Sequence, residues 1–124
     1  MIDYDPYDGI EHAIVTKGLT APRVTPADIE AHIASEHYFT AAEGAENAES
    51  NAGGNYIPRS LALLTFCVLV LKNGFTVTGE SACASPENFD PEIVRKIARQ
   101  NAVKKIWPLM GYALKQQLHD AAAR

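Results

Sequence analysis

Three groups of residues in this chain could do chemistry, and their spacing limits what each can do. His32, Glu36 and His37 lie close together. A zinc hydrolase needs His-Glu-x-x-His, or the inverted form with two residues between the first histidine and the glutamate. Here three residues separate His32 from Glu36, and His37 sits a further ~100° round a helix. The spacing predicts a solvated helix face, with His32 and Glu36 as an i,i+4 pair, and no metal site. Cys67 falls opposite Glu80 in the predicted hairpin, a thiol beside a carboxylate. A carboxylate raises a thiol's pKa, and no histidine has a reason in the sequence to join them, so nucleophilic catalysis is not expected. Gly53-Gly54-Asn55 lacks a lysine and there is no Gly-x-Gly-x-x-Gly, so the usual phosphate loops are missing. The chain reads as non-enzymatic and free of cofactors.

The third group is basic and aromatic. Lys96, Gln100, Lys104 and Trp107 follow one another at helical spacing, Arg95 and Arg99 form a neighbouring row, and Tyr112 lies just beyond Pro108. Arginine and lysine supply charge for a phosphate, and a flat ring supplies a surface for a base. Arg95, Arg99, Lys104, Trp107 and Tyr112 are therefore the candidate ligand-binding set, for a small anionic ligand of nucleotide type. The competing reading makes Trp107 part of the core and leaves the lysines in solvent.

These residues need a helix to carry them. Asp90-Pro91-Glu92 opens one, and Val94, Ala98, Ala102, Ile106, Met110, Leu114 and Leu118 recur every four residues as its apolar stripe. Pro108 must either kink this helix or start a second one. Ala98 and Ala102 are small, so something approaches the helix closely there. The stripe needs a sheet, and residues 61–83 supply a hairpin. Asn73-Gly74 predicts a two-residue type I′ turn. That register sets Lys72 opposite Phe75, Cys67 opposite Glu80 and Cys83 opposite Leu64. The two cysteines then face opposite ways and form no disulfide. The first strand, Leu63–Leu71, is apolar on both faces, so a third strand, a helix or a second subunit must cover it. A homo-oligomer, a dimer, is expected on that ground.

Upstream, residues 1–24 read as an arm with a short strand or turn at Ala13–Thr16. Thr25 caps a helix that begins at Pro26, with Asp28 reaching back, and that ends near Tyr38. Residues 41–56 read as a mobile acidic loop with too little apolar surface to offset its ordering entropy. The expected fold is a single α+β domain over residues 1–124. An antiparallel hairpin-based sheet is packed by an N-terminal helix and a long C-terminal helix broken at Pro108.

Charge is unevenly spread behind the net −4. Residues 91–124 hold seven Lys/Arg against two acids, and residues 1–90 hold four against thirteen. Opposite patches favour head-to-tail association or an anion at the basic end. Overall acidity argues against coating nucleic acid. No apolar run approaches the ~20 residues of a membrane helix, and the start, Met-Ile-Asp-Tyr-Asp, is acidic where a signal peptide is basic. A cytosolic protein is expected.

Several strings carry a resemblance: Leu-Lys-Asn-Gly-Phe-Thr-Val-Thr-Gly-Glu-Ser-Ala-Cys (71–83), Asn-Phe-Asp (88–90), Arg-Lys-Ile-Ala-Arg (95–99) and Ile-Trp-Pro-Leu-x-Gly-Tyr (106–112). With Thr-Pro-Ala-Asp-Ile-Glu (25–30) and Ser-Glu-His-Tyr-Phe-Thr (35–40), the chain resembles the gene-product-forty-nine-like family of small bacteriophage proteins, of phages N-four and Sf-six. The resemblance supplies no catalytic residues. It implies a phage or prophage accessory protein acting in the host bacterial cytoplasm. By analogy with small phage proteins, the expected role is counter-defence. Sequestration of a nucleotide-type ligand leads, inhibition of a host protein is the alternative, and a DNA-binding regulator is weaker because no helix-turn-helix spacing is visible.

Overall fold

The computed structural model describes residues 9–49 and 56–123. In chain order the elements are α1 (Ile10–Thr16), α2 (Pro26–His32), β1 (Ile33–Thr40), α3 (Ala41–Glu49), β2 (Leu64–Leu71), β3 (Thr76–Ala82) and α4 (Pro91–Ala122). Short 3-10 turns at Arg59–Leu63 and Pro86–Asn88 lead into β2 and α4. The three strands form one antiparallel sheet in the order β1-β2-β3, and α4 lies across one face of it. The architecture is α+β, as the sequence predicts.

The hairpin forms in a register one residue away from the expected one. The loop has three residues, Lys72, Asn73 and Gly74. The Gly74 amide donates to the Leu71 carbonyl at 2.8 Å, and the Leu71 amide donates to the Phe75 carbonyl at 2.8 Å. Only Gly74 needs the left-handed region, at φ 88°. A three-residue loop ending in such a glycine competes directly with the two-residue turn for the same Asn-Gly signal. Cys67 therefore faces Gly79, not Glu80, which pairs with Phe66 on the other side of the sheet. Cys67 and Cys83 then share a face but lie apart along the ribbon. Cys67 is buried, and the Cys83 thiol donates to the Ser85 carbonyl at 3.2 Å.

Residues 33–40 are a strand where a helix to Tyr38 is predicted. Pro26–His32 is helical, with the Thr25–Asp28 capping box in place at 2.9 and 3.1 Å. From Ile33 the chain extends and pairs with β2 along its length. The free edge of an apolar strand outweighs the local helical spacing of Ile29 and Ile33. Residues 41–49, expected within a mobile loop, form α3. Thr40 and Glu43 make a second capping box, at 3.0 and 3.2 Å, which starts a helix of modest apolarity. Residues 50–55 lie outside the described residues. Ala13–Thr16 belongs to the helix α1, which an Arg23–Glu11 ion pair ties to the segment before α2. Residues 1–8 of the arm are also outside the description.

α4 is one helix of 32 residues with Pro108 inside it, so no second helix starts after Trp107. The proline has no amide to offer the Lys104 carbonyl, which is the only backbone bond it must cost the helix. Val94, Ala98, Ala102 and Ile106 are buried on the sheet with Cys67, Leu69, Leu71 and Val77. Asn101 donates to the Glu80 carbonyl at 2.8 Å, covering part of the free edge of β3.

The close approach foreseen at Ala98 and Ala102 is made by Gly79. A Cβ at position 79 would collide with the Ala98 carbonyl oxygen and the Ala102 amide, and would lie 2.9 Å from the Ala102 Cα. Backbone cannot yield as a side chain tip can. Gly79→Ala should therefore destabilise the fold by roughly 2–3 kcal/mol in urea titration, the scale of core overpacking. Gly44→Ala, in α3 where the new methyl meets only the Phe39 ring at 3.9 Å, should cost nothing and gain up to ~1 kcal/mol of helix propensity. Equal effects at the two glycines would contradict the packing described.

Candidate functional site

α4 does not bring the five candidate residues together. Arg99 and Lys104 are five positions apart, about 140° round the helix, so they project from different faces. Arg99 reaches over the sheet toward β1, and Lys104 is exposed. Trp107 is half-buried and packs against the core, as the competing reading has it. Tyr112 is 74% exposed and lines a shallow cleft with Lys115, Gln116 and His119. Arg95 lies on the β1 side with its guanidinium 5.8 Å above the Tyr38 ring.

Arg99 is already occupied. Its Nη1 and Nη2 donate to the Glu30 carboxylate at 3.0 and 2.7 Å, and its Nε donates to Glu36 at 2.9 Å. The fork geometry of the guanidinium suits this bidentate pairing. The clamp joins α4 to α2 and β1, and the Arg99 side chain is 28% exposed within it. Arg99 holds the Glu30 carboxyl below the usual carboxylate range, and Glu30 in turn raises the Arg99 guanidinium above its ordinary value. Tyr38 sits beneath, its hydroxyl donating to Glu36 at 3.3 Å, and burial pushes its pKa up to about 12. Burial likewise raises the Cys67 thiol, which keeps it protonated and poorly nucleophilic.

The other chemical groups disperse. Glu36 and His37 fall on opposite faces of β1, and His37 Nε2 lies 3.1 Å from Ser35 Oγ. His32 ends α2, and its carbonyl accepts from the Lys72 amide. Among the described residues no group of three metal-ligating side chains converges.

Two features were missed in the sequence. The first is the face of the sheet turned away from α4. Leu64, Phe66, Val68 and Val70 of β2 line it, each partly exposed, with Phe39 of β1 stacked on Phe66 at 5.5 Å between centroids. α3 packs at the Phe39 end, where a Cβ added to Gly44 would lie 3.9 Å from the ring. The signal was the two-sided apolarity of β2, which was legible as a need for cover. The second is a cleft of 170 Å³ beyond the end of the sheet, between β1, the start of α3 and the start of α4, lined by Thr65, Phe89 and Arg95 among others. Thr65, the one polar residue inside the apolar run, was its signal.

The class defined here is a small protein in which one long helix backs a three-stranded sheet whose second face is only partly covered among the described residues, with clefts at its margins. The chain belongs to the Phage protein (N4 Gp49/phage Sf6 gene 66) family, whose model matches residues 24–118. No curated protein and no solved structure matches it.

The clamp makes a pH prediction. A carboxyl whose folded pKa is depressed adds stability above its unfolded pKa of about 4.3, and that stability is lost as pH falls through the folded value. Arg99→Met should cost about 1 kcal/mol at pH 7, after allowance for the partial exposure of Glu30 and Glu36. The cost should shrink below pH 4 as Glu30 protonates. Thermal melts of parent and variant from pH 7 to pH 3 check this. A cost that stays constant across the range would contradict the clamp.

Proposed function

We propose that this phage protein is a non-enzymatic binding protein that acts on a host protein in the bacterial cytoplasm, in counter-defence, and that it works as a homodimer. The observation that carries the reading is the partly exposed apolar stripe Leu64, Phe66, Val68 and Val70 on the open face of the sheet. A contiguous, flat apolar surface of this kind suits a protein partner, and it has no concave pocket of its own among the described residues. Capture of a nucleotide-type ligand by Arg95, Arg99, Lys104, Trp107 and Tyr112 is the less favoured reading. Those side chains point apart, and Arg99 would have to leave two carboxylates. Among the described residues no helix is long and apolar enough to cross a membrane, which is compatible with this site of action.

The second copy belongs on α4. A helix of 32 residues is about 48 Å long, whereas the eight residues of β2 span about 27 Å, so the helix overhangs the sheet. After Ile106 none of its residues is buried, and Leu109, Tyr112 and Leu118 are exposed. The residues after Met110 have little tertiary cover among the described residues, and most helical stability in proteins comes from packing an apolar face. A segment that must always be covered needs a partner that is always present, and a second copy is one. The sheet face is different: its backbone is already paired, so it can wait for an occasional partner.

Two measurements test the reading. Light scattering at micromolar concentration should give twice 13.5 kDa for the parent and a monomer for the Tyr112→Glu/Leu118→Glu variant. A parent mass of one chain would end the dimer claim. A photo-crosslinking residue placed at Val68 should capture a discrete host protein during infection, and the same residue at exposed Lys104 should not. Identical adducts from both positions, or none from Val68, would contradict the sheet-face reading.

A further inference from the structure

Thr65 poses a problem that the rest of the fold does not solve. It lies on the α4 side of the sheet, 2% exposed, and its hydroxyl has no hydrogen-bond partner among the described residues. A buried hydroxyl left unpaired is destabilising, and valine would fill the same space without that cost. Thr65 lines the 170 Å³ cleft, where a bound molecule could give its hydroxyl a partner.

The walls of the cleft describe what would fit. Phe39, Phe89, Pro91 and Val94 make it largely apolar, with two aromatic rings. Arg95 contributes the positive charge. Its guanidinium rests near the Tyr38 ring and has no carboxylate partner among the described residues. Glu43, the one acid on the rim, accepts from the Thr40 amide at 3.0 Å as the cap of α3 and makes no ion pair with Arg95. The volume is below the ~300–1,000 Å³ of sites for drug-sized ligands. It admits a single substituted ring and excludes a nucleotide. An apolar slot with one unpaired guanidinium and one unpaired hydroxyl matches a flat ring bearing one carboxylate.

We infer that this cleft is a binding site for a small aromatic carboxylate. The ring lies between the phenyl side chains, the carboxylate accepts from Arg95, and the Thr65 hydroxyl turns to donate to the same group. Phe39 borders both this cleft and the Phe66 end of the other sheet face, so the two readings are separated at Thr65 and Arg95, which belong to the cleft alone.

The test titrates benzoate into the full chain and follows amide chemical shifts. Benzoate should bind with a Kd of the order of 1 mM, a reasonable affinity for so few atoms. Shifts should centre on residues 65, 89, 94 and 95. Benzamide, which lacks the charge, and acetate, which lacks the ring, should each bind at least tenfold more weakly. Thr65→Val and Arg95→Met should each weaken benzoate at least fivefold. Thr65→Val should at the same time raise the melting temperature of the free protein, since it removes an unpaired hydroxyl, and this separates lost binding from lost folding. Equal binding of acetate would mean an anion on an arginine and nothing more, and equal binding of benzamide would mean no role for the charge. Either result, no benzoate shifts at these residues, or a Thr65→Val variant that melts lower or binds unchanged, would overturn the inference.

Discussion

Gly79 stands where any side chain would drive into the backbone of α4 at Ala98 and Ala102. This contact sets how close the helix lies to the sheet, and much of the molecule follows from that distance. Ile106, Cys67, Leu69 and Ile29 are fully buried because the two layers meet at backbone range. Interiors packed at this density tolerate neither a gap nor an added methyl. The contact also fixes the helix in rotation. With Ala98 and Ala102 on Gly79, Arg95 and Arg99 turn toward β1, Asn101 reaches the edge of β3, and Lys104 is left in solvent.

That rotation changes the meaning of the charge asymmetry. The basic C-terminal part and the acidic remainder suggest surfaces for other molecules. Part of the opposition is satisfied within the chain, because Arg99 closes on Glu30 and Glu36 from sequence distances of 69 and 63 residues. The clamp holds α2 and β1 against the helix. The apolar surface left over, the open face of β2 and the far end of α4, is what remains for partners.

Features set by local chemistry were legible in the sequence. The Thr25–Asp28 cap, the buried positions of the α4 stripe and the small residues at its tightest contact all follow from short-range rules. Features decided by competition between neighbours were not. Asn73-Gly74 announces a turn, but two- and three-residue loops both use it, and the choice shifts every cross-strand pair by one. Ile29, Ile33 and Ala34 have helical spacing, yet an unpaired apolar strand nearby makes a third strand the better use of residues 33–40. The Thr40–Glu43 box starts a helix whose sequence lacks the apolar pattern that marks one. The candidate binding set failed as a cluster for a geometric reason. Residues interleaved along one helix share a neighbourhood in sequence, but not a face.

The central claim is that α4 has two halves of different standing: one is welded to the sheet through Gly79, and the other is proposed to fold against a second copy. Hydrogen exchange of the backbone amides at micromolar and nanomolar concentration tests this most directly. The account predicts slow exchange over residues 94–106 at both concentrations, and protection over 111–122 at micromolar concentration that is lost on dilution. Protection over 111–122 that is independent of concentration, or absent throughout, would contradict it.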